Sequence, residues 1–281
     1  MKSGLILEGG AMRGMFTAGV LDILMEHDVV FDGVIGVSAG AVFGCNYKSR
    51  QIGRTIRYNA KYCNDPRYCS IRSLLKTGDL YGNQFCYHEI PEKLDIFDTK
   101  AFEQNPVEFY VVCTDIDTGK PVYHKIDRMN DTEMDWLRAS ASMPLVSKPV
   151  EVDGKRLLDG GITDAIPLRY FENIGFIRNV VILTQPAGYA KADSRSLPLI
   201  RLAMRGMPNT ATAMQNRARR YNQTLRYIAE REKAGEILVI RPPHKLPVNH
   251  VEHDPEKLKE TYEIGRKTGE QSLQQIVEFL R

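Results

Sequence analysis

The sequence predicts an α/β fold with a mainly parallel sheet, and three observations carry that reading. A short apolar run, Leu5-Ile6-Leu7, passes through a glycine-rich turn into an apolar helix from about Met15 to Glu26. A second run, Val34-Ile35-Gly36-Val37, stops at Ser38 and gives way to the small, helix-compatible stretch Ala39-Gly40-Ala41-Val42-Phe43-Gly44. Two successive strand–turn–helix units place their strands side by side and parallel. The length of 281 residues suits one large α/β domain with an appendage better than two equal domains.

Composition narrows the function classes. The chain is 43% hydrophobic and 26% charged, the balance of a water-soluble globular protein, and its net charge of +3 is too small to point to nucleic acid. No apolar run approaches the roughly twenty residues that cross a bilayer, and Leu5-Ile6-Leu7 runs straight into Glu8, unlike an export signal. A cytoplasmic protein is expected. The five cysteines are odd in number and form no Cys-x-x-Cys pair, so free thiols are expected. Cys63, Cys69, Cys86 and His88 match no common zinc spacing, and no metal is expected.

The first turn, Glu8-Gly9-Gly10-Ala11-Met12-Arg13-Gly14, lies between a buried strand and a helix, where backbone N–H groups converge on one point and can hold an anion. A P-loop would end in Gly-Lys-Ser/Thr, where this chain has Arg13-Gly14-Met15. A dinucleotide fingerprint would need glycine where Ala11 stands. An oxyanion hole needs only amides beside a nucleophile, and Ser38 ends the neighbouring strand. Gly36-Val37-Ser38-Ala39-Gly40 has the form of a nucleophile elbow, a strained strand-to-helix turn whose flanking glycines avoid collision with neighbouring backbone.

Residues 48–106 mix arginines, tyrosines and short apolar groups without a clear period, as lids and pocket walls do. The strand signal returns at Phe109-Tyr110-Val111-Val112-Cys113-Thr114 and again at Val122-Tyr123-His124, a hairpin expected at the sheet edge. His124 follows the serine as a triad base could, but nothing nearby would orient its ring, so it reads as a half-exposed strand histidine. A helix is expected over residues 133–141. A second hairpin turns at Asp153-Gly154 and delivers Asp159-Gly160-Gly161. Those glycines leave the aspartate room for a close backbone partner, which suits a catalytic carboxylate and equally suits an Asp-Gly turn.

These three motifs, in this order and separation, resemble the patatin-like phospholipase family, as do Arg138-Ala139-Ser140-Ala141-Ser142-Met143-Pro144 and the stretch from Asp164 to Pro167. The resemblance covers about residues 3–183. It implies a three-layer α/β/α fold related to the α/β hydrolases, and acyl-ester hydrolysis by a serine–aspartate dyad. Ser38 would be the nucleophile and Asp159 the general base. The amides of Gly9, Gly10, Ala11, Met12, Arg13 and Gly14 would form the oxyanion hole, with Gly36, Gly40, Gly160 and Gly161 supporting the motifs. One departure is Ala11, which stands where the family has a third glycine and is strained if the position needs a positive φ.

A carboxylate can replace the usual histidine if partial burial raises its basicity. No cofactor is then required, and the expected partner is a lipid or fatty-acyl ester. The alternative is an inactive relative serving as a lipid-binding or regulatory module. Residues 1–190 are read as the catalytic domain and 191–281 as a mostly helical C-terminal extension packed on it. Arg201, Arg205, Arg217, Arg219, Arg220, Arg226 and Arg231 could present a basic face to an anionic membrane surface, or a solvated helix face. A strand at Ile237-Leu238-Val239-Ile240 and a closing helix pair over 254–280 complete the reading.

Overall fold

A computed structural model of the chain describes residues 1–192, 200, 202 and 204–281. Arg201 and part of the expected 197–234 helical region lie outside these residues.

Among the described residues, eight strands form one sheet. They are β1 (Lys2–Leu7), β2 (Gly33–Val37), β3 (Glu108–Asp115), β4 (Pro121–Lys125), β5 (Val150–Val152), β6 (Lys155–Asp159), β7 (Phe176–Ile182) and β8 (Ile237–Ile240). Hydrogen-bonded neighbours run β5-β6-β3-β2-β1-β7-β8, and β4 pairs with β3. The pairs from β3 through β2, β1 and β7 to β8 are all parallel, whereas β4, β5 and β6 add antiparallel pairings.

Both faces of the sheet are covered, which is why its strands read as near-continuous apolar runs. Alternate residues of β1 go to opposite sides. Leu5 and Leu7 pack with Phe16, Val20, Leu258 and Ile276, while Ile6 packs with Ile35, Phe171, Tyr221 and Ile228. The first face carries α1 (Gly14–Glu26), α2 (Ala39–Lys48) and the C-terminal helix Pro255–Leu280; the second carries the helix Arg217–Lys233. The architecture is the three-layer α/β/α expected.

Two expectations change. The hairpin strand β3 is internal, between β2 and β4, so only its second strand lies at an edge. The closing helix pair is one 26-residue helix, Pro255–Leu280, started by Asp254 accepting from the Glu256 N–H with Pro255 in the first turn. Its glycines are not a break but a contact. A Cβ on Gly265 would sit 2.1 Å from the Phe16 carbonyl oxygen, and one on Gly19 would sit 2.1 Å from that of Tyr262. Glycine on both partners lets the two backbones approach, and α1 is buried along nearly its whole length because sheet and helix clasp it. Among the described residues no helix is long and apolar enough to cross a membrane.

Candidate active site

The elbow forms as its residues require. β2 ends at Val37 and α2 starts at Ala39, leaving Ser38 at φ 55°, ψ −125°, a region L-residues rarely enter. The flanking glycines are obligatory. A Cβ on Gly36 would come within 2.5 Å of the Gly40 carbonyl oxygen, and one on Gly40 within 2.5 Å of that of Leu7. The buried Ser140 hydroxyl, near the end of α6 (Asp131–Ser140; α3 Arg54–Tyr62, α4 Ile71–Thr77 and α5 Thr99–Gln104 precede it), fixes the elbow. It donates to the Val112 carbonyl at 2.7 Å and accepts from the Ser38 N–H at 2.8 Å.

Strand register brings Asp159 to the serine. Val111 of β3 pairs with Gly36 of β2 on one edge and His124 of β4 on the other. One step on, Val37 pairs with Val112, and then Asp159 of β6 pairs with Cys113, whose other edge is taken by Val122. β2 and β6 therefore meet end to end along one edge of β3, which sets Asp159 beside the elbow. Gly160 permits this, because a Cβ there would meet the Val112 carbonyl oxygen at 2.2 Å.

The Asp159 side chain serves the Asp-Gly turn and still faces the serine. Its Oδ1 accepts the Gly161 N–H at 2.7 Å, which leaves the second oxygen as the available acceptor. Burial raises its pKa above the ordinary aspartate value, and the Ser38 hydroxyl, the Arg217 guanidinium and the Gly161 N–H pull it partly back.

The glycine-rich loop divides into free and engaged amides. The Arg13 N–H bonds the Gly10 carbonyl at 3.2 Å and the Gly14 N–H closes on Ala11, so those two are used in a single 3₁₀ turn. The N–H groups of Gly9, Gly10, Ala11 and Met12 have no partner among the described residues. Gly9 lies directly against the elbow, where a Cβ would stand 3.1 Å from that of Ser38. Ala11 has φ 49°, the left-handed conformation in which its side chain is strained.

Sequence reasoning missed Glu8. It is fully buried at the head of the loop, where Oε2 accepts the Thr184 N–H at 2.6 Å and Oε1 accepts the Tyr221 hydroxyl at 2.5 Å. Burial raises its pKa, against the pull of Tyr221, Thr184 and Arg13. Arg217 was expected on a surface face and instead bonds the Gly161 carbonyl at 2.7 Å. His250 stands at the rim, its Nε2 3.3 Å from Arg13 Nη1. Nothing in the local sequence of these residues signals a site, since only tertiary packing brings them there.

These groups form the polar end of a cavity of about 420 Å³, within the usual range for small-ligand pockets. Its other walls are apolar and aromatic: Val42 and Phe43 of α2, Tyr58, Tyr87, Ile90 and Phe97 from the segment without period, and Met134 and Leu137 of α6. The segment 48–106 is thus pocket wall, partly through a π-helical stretch, Phe85–Leu94. His124 lies outside that lining, bonded to Glu133 at 2.7 Å and stacked on Trp136. The five cysteines are free thiols. The only cluster of potential metal ligands among the described residues is His88, Glu92 and Asp131, of which the two acids are exposed.

The family profile of patatin-like phospholipases matches residues 5–172, and the chain belongs to that family. A second profile, a domain of unknown function (DUF6363), matches residues 207–281. Among individual relatives, the chain is 28% identical to the uncharacterized protein YjjU of Escherichia coli, over 99% of this chain and 79% of that one. It is 26% identical to the patatin-like phospholipase domain-containing protein ZK370.4 of Caenorhabditis elegans, over 98% of this chain. It is 24% identical to lysophospholipase nte1 of Aspergillus oryzae, over 97% of this chain. It spans only 21% and 18% of the length of those last two proteins.

Proposed function

We propose that the chain is a serine hydrolase of lipid carboxylic esters, with Ser38 as nucleophile and Asp159 as general base. The observation that carries this is the register of β2 and β6 on β3, which sets a buried carboxylate with a raised pKa beside a serine in the strained elbow conformation. Asp159 takes the Ser38 proton as the hydroxyl attacks the ester carbonyl, returns it to the leaving alcohol, and then activates the water that releases the acid. The unpaired N–H groups of Gly9, Gly10, Ala11 and Met12 are the oxyanion donors. The N-terminal end of α2 adds its partial positive charge at the serine. The apolar walls receive the acyl chain. The name of the fungal lysophospholipase relative agrees with this chemistry.

A panel of p-nitrophenyl esters of graded chain length tests the reading. Wild type should turn over the panel with a preference set by chain length, and Ser38→Ala should be silent throughout. Equal turnover by the two proteins would contradict it. No turnover and no fluorophosphonate labelling by wild type would favour a non-catalytic lipid-binding role.

A further inference from the structure

The part of the chain matched as a domain of unknown function reaches the active site at two points on one helix. Arg217 opens the helix Arg217–Lys233 and Tyr221 follows one turn later on the same face. Tyr221 donates to Glu8 at the head of the glycine-rich loop, and Arg217 donates from Nε to the Gly161 carbonyl at 2.7 Å. The Gly161 N–H in turn holds Asp159 Oδ1 at 2.7 Å. Arg217 lines the cavity together with Asp159.

We propose that Arg217, supplied by the C-terminal extension, is a positioning residue for the catalytic carboxylate: it clamps the Gly160-Gly161 turn and sets its positive charge facing Asp159. This inference rests on the hydrolase reading above. It gives the extension a task that the patatin-matched segment, ending at residue 172, lacks the residue to perform.

The electrostatic consequence has a definite sign. The groups facing Asp159 are the Ser38 hydroxyl, Arg217 and Lys191, with the buried Tyr87 and Cys113 also in its field. Burial raises the carboxyl and Arg217 opposes the rise, so removing Arg217 lifts it further. Asp159 works as a base only when ionised, so the acid limb of kcat must move to higher pH. Lys191, lowered to about 8 by burial first and by Arg217 second, is the other cation facing the carboxyl.

The test compares wild type, Arg217→Met and Arg217→Lys by kcat and KM across pH on one short ester. For Arg217→Met the expectation is a kcat loss of about tenfold or more with KM within about twofold, and an acid limb displaced upward. Arg217→Lys restores the charge and should return the limb to its wild-type position. If Arg217→Met does not fold, Arg217→Gln, which keeps a donor for Gly161 without the charge, must show the same displacement. Wild-type kcat and limb in Arg217→Met, even with a lower Tm, would overturn the inference and leave the hydrolase reading standing. So would an equal displacement in the Met and Lys variants. A wild type that neither hydrolyses esters nor takes a fluorophosphonate would overturn both.

Discussion

The two ends of the cavity are built on different principles. At the polar end, backbones press so closely that no Cβ fits at Gly36, Gly40 or Gly160, and Ser38 and Ala11 are held at positive φ. At the apolar end, side chains from short helices and a π-helical stretch face one another across open space. Chemistry needs atoms fixed to fractions of an ångström, which parallel strand ends and glycine contacts provide. An acyl chain needs only volume and a dry surface. Substitutions at the first end should therefore change rate, and substitutions at the second should change which ester is accepted.

The largest effect is expected from Asp159→Asn, which removes the proposed base while keeping its shape. Turnover should fall by about 10³-fold or more, by the scale of losses seen when a proton-transfer partner of a serine nucleophile is removed. Stability should move the other way. Because the folded carboxyl is raised by burial, its contribution is full below the unfolded aspartate pKa and is lost as pH rises through the folded value. Asp159→Asn escapes that loss, so its Tm relative to wild type should increase as pH rises from the ordinary aspartate value of 3.8 toward the raised folded one. A Tm difference that ignores pH would break this part of the account.

Filling the apolar end gives the next largest change. Met134→Trp should cut kcat/KM for long-chain esters by about 10- to 100-fold while leaving acetate esters nearly unchanged, since pocket contacts are worth about 1–3 kcal/mol per methylene. A uniform loss across chain lengths would mean that the two ends are not separable. Ser140→Ala should act only at the polar end. It leaves the Ser38 N–H and the Val112 carbonyl without their partner, at about 1–3 kcal/mol of stability. A several-fold kcat loss without a change in chain preference is expected.

Smallest of all is Ala11→Gly. Relief of a left-handed alanine, worth about 1–2 kcal/mol, is offset by the roughly 0.5–1 kcal/mol that glycine costs in unfolded-chain entropy. Tm should therefore rise slightly or stay level, with kcat within a few-fold of wild type. A large gain in kcat would show that alanine distorts the proposed oxyanion loop.

The polar end was legible in the sequence to the extent that it is local. Ser38 between Gly36 and Gly40, the loop from Gly9 to Gly14, and Asp159 before two glycines each carry their geometry within a few residues. Glu8 was not legible, because its role depends on Thr184 and Tyr221, far away in the chain. Arg217 was grouped with surface arginines because composition alone cannot tell which side of a helix faces a turn from another strand. The pocket wall at 48–106 stayed unreadable because its side chains are chosen to enclose a cavity, and no period of two or of 3.6 results. The single C-terminal helix was mistaken for a pair, and its glycines are fixed by the approach of α1, a contact invisible from that segment alone.

The most direct measurement is the site of covalent capture. The protein is treated with a fluorophosphonate, its intact mass is read, and the modified peptide is mapped for wild type and Ser38→Ala. One adduct is expected on wild type, located on Ser38, and none on Ser38→Ala under the same conditions. An adduct on another residue, or equal labelling of Ser38→Ala, would contradict Ser38 as the nucleophile.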